Sequence, residues 1–456
     1  MHYHLIGIGG TGLSAIARVL LEQGHTVSGS DRQISPLAEA VQRAGGQVYA
    51  GHAAAHIGQA QVVIRSSAIP DDNPEVLAAR ARGIPVLKRA NFLGDLMAGQ
   101  DGLAVAGAHG KTTTTAMLAW SLTMLGQDPS YIIGGQAHNL GSNAHAGQGR
   151  FFVIEADEYD RMFLGLRPLA AIVTNVEHDH PDCYPTPQDF AQAFRDFAGC
   201  VQPEGFLIPC RDDSGAAALG DHARSLGRRV YSYGLSEKAV YRVTDLHPTA
   251  EGGSRFWFNR QGERLLEVRL GVPGRHNVRN AAGVLALLDQ LGLPLEQASE
   301  ALSAFRGTGR RFEIVGQAGG VTIIDDYAHH PTEIEATLEA ASARFPGQTL
   351  WAVWQPHTYS RTRTLQAQFA TAFHAAGHVL VTPIYAAREV PPADGFDARQ
   401  MAQVIQHPDV QACDSLEDTA TRLLAGVRPG DVVLVFSAGD ATQVSRTVLY
   451  GLQPTP

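Results

Sequence analysis

The sequence predicts an α/β protein in three domains, each a mostly parallel sheet flanked by helices. Three observations carry this reading. The chain has 456 residues, and single cores stop growing near ~250 residues, so several cores are expected. Short apolar runs alternate with helical stretches along most of the length, the pattern of βαβ units. Glycine turns follow two of those runs, where a strand would pass into a helix.

In order, "YHLIGIG", "HTVSGSD", "GQVYAGH", "QVVIRSSAI" and "IPVLKRA" read as strands of a first unit. "GLAVAGA" opens a second, continued by "FFVIEAD", "AAIVTNV" and "GFLIPC" as buried strands. Residues 240–272 alternate apolar and polar positions with turn signals, which predicts an antiparallel patch. "RHNVRNAAGVLALLDQLG" then has apolar positions at helical spacing. A third unit begins at "GTGRRFE" and again alternates strand and helix, through "VTIIDDYAHHPTEIEATLEAA", "HVLVTPIYA" and "DVVLVFSAGD".

Composition excludes several classes of function. Apolar residues make up 44% and charged residues 18%, within the range of globular enzymes. The net charge is -9 with Lys and Arg scattered, so no nucleic-acid footprint is present. No run of about 18 apolar residues and no charged leader is seen, so no membrane partner is expected and the protein is placed in the cytoplasm. Cys183, Cys200, Cys210 and Cys413 show no C-x-x-C spacing and read as reduced thiols.

"GIGGTG" carries Gly7, Gly9 and Gly12 between a strand and a helix, with Asp31 about 20 residues on. Amides at such a helix start hold phosphate, so this is an NAD-type site, another nucleotide held by the same geometry, or a structural turn. "AVAGAHGKTTTT" fails the usual P-loop template, because Val105 stands where the first glycine should be. Gly107 and Gly110 still allow close backbone approach, Lys111 supplies a compact charge for phosphate, and the Thr112 and Thr113 hydroxyls suit Mg²⁺. The bland alternative is a Thr-rich helix start with a solvated lysine. Glu155, ending "FFVIE", stands where an acidic metal partner should emerge. "VTNVEHDHPD" gathers Asn175, Glu177, His178, Asp179, His180 and Asp182 after a buried strand. It contains no H-E-x-x-H, and an oxygen-rich Mg²⁺ site with one imidazole fits it as well as zinc does.

Together "GAHGKTTTT", "EADEYD", "TNVEHDHPD", "GRHNVRNAAG", "GTGRRFE" and "DDYAHHPTE", in this order, resemble the Mur ligase family, the ATP-dependent amide ligases of peptidoglycan precursor synthesis. The likeness covers nearly the whole chain and reads the loop as the family's short form, Gly-x-His-Gly-Lys-Thr. "GIGGTGLSAIA", "SSAIPDDNPE" and "QPHTYSRTR" look like the branch that adds L-alanine to UDP-N-acetylmuramate. The resemblance implies a Rossmann-like UDP-sugar domain over 1–99, a P-loop ATPase-like centre over 100–306 and a Rossmann-like amino-acid domain over 307–456.

It also implies roles for particular residues. Lys111, Glu155, His180 and Arg311 would be catalytic. ATP would meet Gly107, His109, Gly110, Lys111, Thr112, Thr113, Asn277, Asn280, Arg311 and Asp326. Gly9, Gly10, Thr11, Gly12, Ser30, Asp31 and Ser67 would hold the UDP-sugar, and Tyr327, His329, His357 and Arg361 the amino acid. Thr112, Glu155 and His180 would ligate Mg²⁺, two ions in all. A monomer or homodimer is expected, with the third domain closing on the second when ATP binds.

Two features depart from the family's patterns. No lysine lies between Lys111 and Lys238, so the carbamylated lysine of other branches has no counterpart. Thr358 follows His357 where the alanine-adding branch commonly has Arg. The competing readings are a sister ligase that joins a recycled tripeptide to the same UDP-sugar, and a Rossmann-type NAD-dependent dehydrogenase built on "GIGGTG".

Overall fold

The computed structural model describes residues 1–453. Its first sheet runs Gln47–Ala50, Thr26–Asp31, His2–Ile6, Val62–Arg65, Val86–Lys88 from edge to edge, all parallel. The second has seven strands, with Asp101–Ala106 between Ala170–Val173 and Phe151–Glu155. Its one antiparallel pair is at the edge, where Ser142–His145 meets Ser130–Ala137. Tyr241–Pro248, Ser254–Arg260 and Glu263–Leu270 form the expected antiparallel patch. A last sheet of six strands, Glu313–Ala318 to Val410–Ala412, is parallel except for its first pair.

Burial explains the sequence patterns. Asp101–Ala106 and Ala170–Val173 are covered on both faces, so they read as unbroken apolar runs. The helix Arg275–Gln290 buries Val278, Val284 and Leu288 among many others and packs against the helix Lys111–Met124. One continuous apolar core reaches from Tyr3 to Phe305, so the first two sheets share packing. The third unit instead has a cluster on each face of its own sheet.

Two kinds of helix start bear on the site. At Ser35, Asn73, Thr186, Asp213 and Ser415 a side chain accepts from a first-turn amide. At Gly10, Gly110 and Gly274 the N-cap is glycine and no side chain does so. The amides there are available to an anion. These three starts are the ones the motifs singled out.

Candidate active site

The central strand Asp101–Ala106 delivers the phosphate loop. Gly107 has φ +138, and a Cβ there would stand 2.0 Å from the Thr174 hydroxyl, so only glycine fits. Asn175 pins the loop by accepting from the His109 amide at 2.9 Å, and Thr174 donates to the His109 carbonyl at 2.6 Å. Lys111 turns back into the loop, donating to the Gly107 carbonyl at 2.6 Å and to Glu158 at 2.8 Å. Burial disfavours the charged ammonium, but Glu158, Asp157 and Glu155 outweigh it and raise its pKa.

Thr112 donates to Glu155 at 3.1 Å, and the other Glu155 oxygen accepts from the Gly134 amide at 2.7 Å. Burial raises the pKa of Glu155 despite Lys111 nearby. A half-buried carboxylate beside a hydroxyl, both oxygen donors, fits a hard cation such as Mg²⁺. His180 lies on the other side of the lysine, 3.5 Å from Glu158. The three expected metal ligands therefore fall into a Thr112–Glu155 pair and a separate His180.

A cavity of about 480 Å³ opens between the second and third units. His109, Gly110, Thr112, Thr113, Asn277, Asn280, Arg311 and Asp326, all expected at ATP, line it. Asn277 is fixed by donating to the Pro273 carbonyl at 2.7 Å, and Asn280 donates to Asn277 at 3.2 Å. Arg311 lies over the Tyr327 ring and 3.4 Å from Glu333. Burial pushes the Asp326 carboxyl up to about 6, against Arg311 and the Phe312 and Ala328 amides it accepts from.

The expected amino-acid residues also come together. Tyr327 and His329 rings lie 5.4 Å apart, His329 and His357 rings 5.7 Å, and Arg361 reaches His357 Nδ1 at 2.9 Å. Burial and Arg361 lower His329 to about 3 and His357 to about 4, so both imidazoles are neutral. Thr358 caps the short helix Tyr359–Thr364, accepting from Arg361 N at 3.3 Å, and has φ +63.

At the first glycine turn the residues expected at the UDP-sugar are placed differently from one another. Ser30, expected at the UDP-sugar, is fully buried, and its hydroxyl donates to Glu75 at 2.6 Å. Its carbonyl accepts from the Gly7 and Ile8 amides, so it anchors the turn from within. Asp31 faces the other way and accepts from Gly9 N at 2.9 Å and Arg32 N at 2.7 Å. Gly10 and Thr11 are exposed at the helix start, and Gly12 lies under Arg89. Ser67 lines a second cavity, about 570 Å³, with Lys88, Arg89, Arg161 and Arg167.

Sequence reasoning missed several members. Glu158 and Glu333 sit inside quoted motifs, and their spacing from Glu155 and His329 was the available signal. Arg89, which pairs with Asp157 at 3.1 Å, had none. Long-range contacts were also unseen: His109 lies 3.2 Å from Glu177 of its own unit and 3.3 Å from Glu333 of the third, and Thr332 of the third donates to Glu177 at 2.8 Å.

Three family descriptions match consecutive segments: "Mur ligase family, catalytic domain" over 2–101, "Mur ligase middle domain" over 105–288, and "Mur ligase, glutamate ligase domain" over 310–439. The chain belongs to the Mur ligase family. Mur ligases similar to it include the UDP-N-acetylmuramate–L-alanine ligases of Geobacter sp. (strain M21), 42% identical over 99% of this chain and 97% of the relative, and of Syntrophotalea carbinolica, 43% identical over 99% and 98%. Among solved Mur ligases, the UDP-N-acetylmuramate-alanine ligase of Thermotoga maritima superposes with a TM-score of 0.83 at 29% identity, covering 99% of this chain and 98% of that one. A murein peptide ligase from Psychrobacter arcticus gives 0.71 at 25%, covering 100% and 99%. The α/β architecture in three Mur ligase units agrees with the expectation, and no dehydrogenase is needed to explain the first glycine turn.

Proposed function

We propose that this Mur ligase joins L-alanine to the lactyl carboxylate of UDP-N-acetylmuramate, using ATP, in peptidoglycan precursor synthesis. The observation that carries the reading is one line of contacts, Lys111–Glu158–His180–Asp179–Arg361, which puts a phosphate loop next to the cluster of Tyr327, His329, His357 and Arg361. Relatives named for this reaction over their full length support it. Units divided at 99/100 and 306/307 then hold UDP-sugar, ATP and amino acid in turn, the second cavity offering arginines to the sugar diphosphate.

The lactyl carboxylate attacks the γ-phosphorus of ATP, and ADP leaves. The amine of L-alanine then attacks the acyl carbon, and phosphate leaves. Lys111 and Arg311 neutralise charge on the transferring group, and positioning does most of the rest. Mg²⁺, held by Thr112 and Glu155 with a second ion at His180, supplies further charge neutralisation when bound. His329 is neutral with Nδ1 against the Tyr327 carbonyl at 3.0 Å, so its Nε2 can accept a hydrogen bond from the attacking amine and orient it. The docked third unit keeps water from the acyl phosphate. No helix among the described residues is long and apolar enough to cross a membrane, and we place the enzyme in the cytoplasm.

The test is phosphate release from ATP with UDP-N-acetylmuramate and Mg²⁺, comparing L-alanine, glycine, L-serine and the muropeptide tripeptide. Release with L-alanine is expected, and chelation of the metal should abolish it. Release with the tripeptide alone would move the protein to the recycling branch, and silence with every acceptor would overturn the ligase reading.

A further inference from the structure

Arg361 and Asp179 belong to different units, 182 positions apart, yet Arg361 Nε donates to Asp179 Oδ1 at 2.9 Å. The two side chains are 5% and 2% exposed. A guanidinium has five N–H donors in a planar fork. Here Nε is spent on Asp179 and one Nη1 hydrogen on His357, with Nη2 3.4 Å from His180 Nδ1. The remaining terminal N–H groups are free to grip a carboxylate.

The fork is also braced from behind. Glu389 accepts from the Tyr359 and Ser360 amides at 2.6 and 3.0 Å and from the Ser360 hydroxyl. This fixes the backbone of Tyr359–Thr364, while Asp179 is the one carboxylate that holds the guanidinium, with His357 and His180 at its terminal nitrogens. The other side chains of this pocket, Tyr327, His329 and His357, carry no positive charge, and Thr358 adds none. Arg361 must therefore meet the substrate carboxylate as the pocket's cation, and its aim decides the fit.

We propose that Asp179 is a positioning residue for the incoming amino acid, holding Arg361 from across the interface so that the carboxylate pocket is complete only when the third unit is docked; this rests on the ligase reading above. Asp179 itself touches no substrate. Its backbone neighbour His180 donates to it at 2.7 Å, so one carboxylate ties the His180 loop to the amino-acid pocket.

Hydroxylamine separates this role from a merely structural one. It carries no carboxylate, yet its nitrogen attacks the acyl phosphate carbon, the C–O bond to phosphate breaks, and a hydroxamate and phosphate result after loss of a proton. Asp179→Asn should lower kcat/KM for L-alanine about 30-fold or more, mainly through KM, the scale for removing one partner of a buried charged pair. KM for ATP and hydroxylamine-driven phosphate release should stay within about threefold of wild type. Asp179→Glu, which keeps the carboxylate, should recover part of the loss, and a thermal midpoint read beside the kinetics covers the case of a poorly folded Asp179→Asn variant. Parallel loss with both nucleophiles, or an unchanged KM for L-alanine, would overturn the proposal. Wild-type enzyme that forms neither hydroxamate nor alanyl product would instead overturn the ligase reading.

Discussion

Replacing Glu158 by Gln should cost the nucleotide-free protein stability that ATP then restores. Glu158 is fully buried and sits 2.8 Å from Lys111, whose side chain is 12% exposed. Removing one partner of a buried pair costs ~3–5 kcal/mol, because the other charge is stranded. Asp157 and Glu155 also attract the ammonium, which places the cost near the lower end, about 3 kcal/mol. At roughly 2–4 °C per kcal/mol for a unit of this size, the melting midpoint should fall by about 6–12 °C. Phosphate oxygens can replace the lost carboxylate, so a non-hydrolysable ATP analogue should raise the variant's midpoint by several degrees more than that of wild type. Thermal melts followed by circular dichroism, with and without the analogue, read both effects. Asp157→Asn is the control: its partner Arg89 is 3.1 Å away, but Asp157 is 38% exposed, and such pairs are worth about 1 kcal/mol or less. The reasoning is falsified if the Glu158 variant melts within 2 °C of wild type or gains no extra degrees from the analogue.

Three further outcomes follow from the same geometry. His109 is raised to about 10, burial being outweighed by Glu333 and Glu177; a raised histidine contributes stability that is full below its unfolded pKa and lost as pH rises through the folded one. Docking of the third unit should therefore be firmest below about pH 6.5 and weaken progressively as pH rises towards 10, and His109→Gln should loosen it at neutral pH, both seen as a larger radius of gyration in small-angle scattering. Burial raises Asp325 to about 6 although the Ser445 hydroxyl donates to it. Its ionisation destabilises the fold as pH climbs from ~4 to about 6, so Asp325→Asn should stabilise by about 2–3 kcal/mol at pH 8 and by much less at pH 4, checked by urea midpoints. Thr358 has φ +63 and ψ 147, a glycine region costing other residues ~1–3 kcal/mol. Thr358→Gly should therefore gain about 1 kcal/mol after glycine's chain entropy, whereas Thr358→Ala should lose about 1 kcal/mol with the cap; denaturant midpoints that rank them the other way would refute the strain argument.

What could be read from the sequence was what depends on neighbours along the chain. Strand and helix periods, the glycine N-caps and the phosphate loop are set by residues within a few positions of each other, and all of these were legible. Ser30 shows where that logic fails. Adjacent strand residues face opposite ways, so Ser30 points into the first unit while Asp31 points at the turn, and "SGSDR" does not say which is which. The missed partners fail for a different reason. Glu158 reaches Lys111 across 47 positions, Glu177 and Glu333 flank His109 from separate sheets, and Asp179 meets Arg361 only because two units dock. Each is an acidic residue that would be ordinary on a surface. Burial against a cation is what gives it a role, because a charge removed from water must be paired. These four carboxylates thus act alike, neutralising Lys111, His109 and Arg361 inside the protein. Each cation is thus held by a carboxylate within the protein, so none is left as bare charge in the buried site.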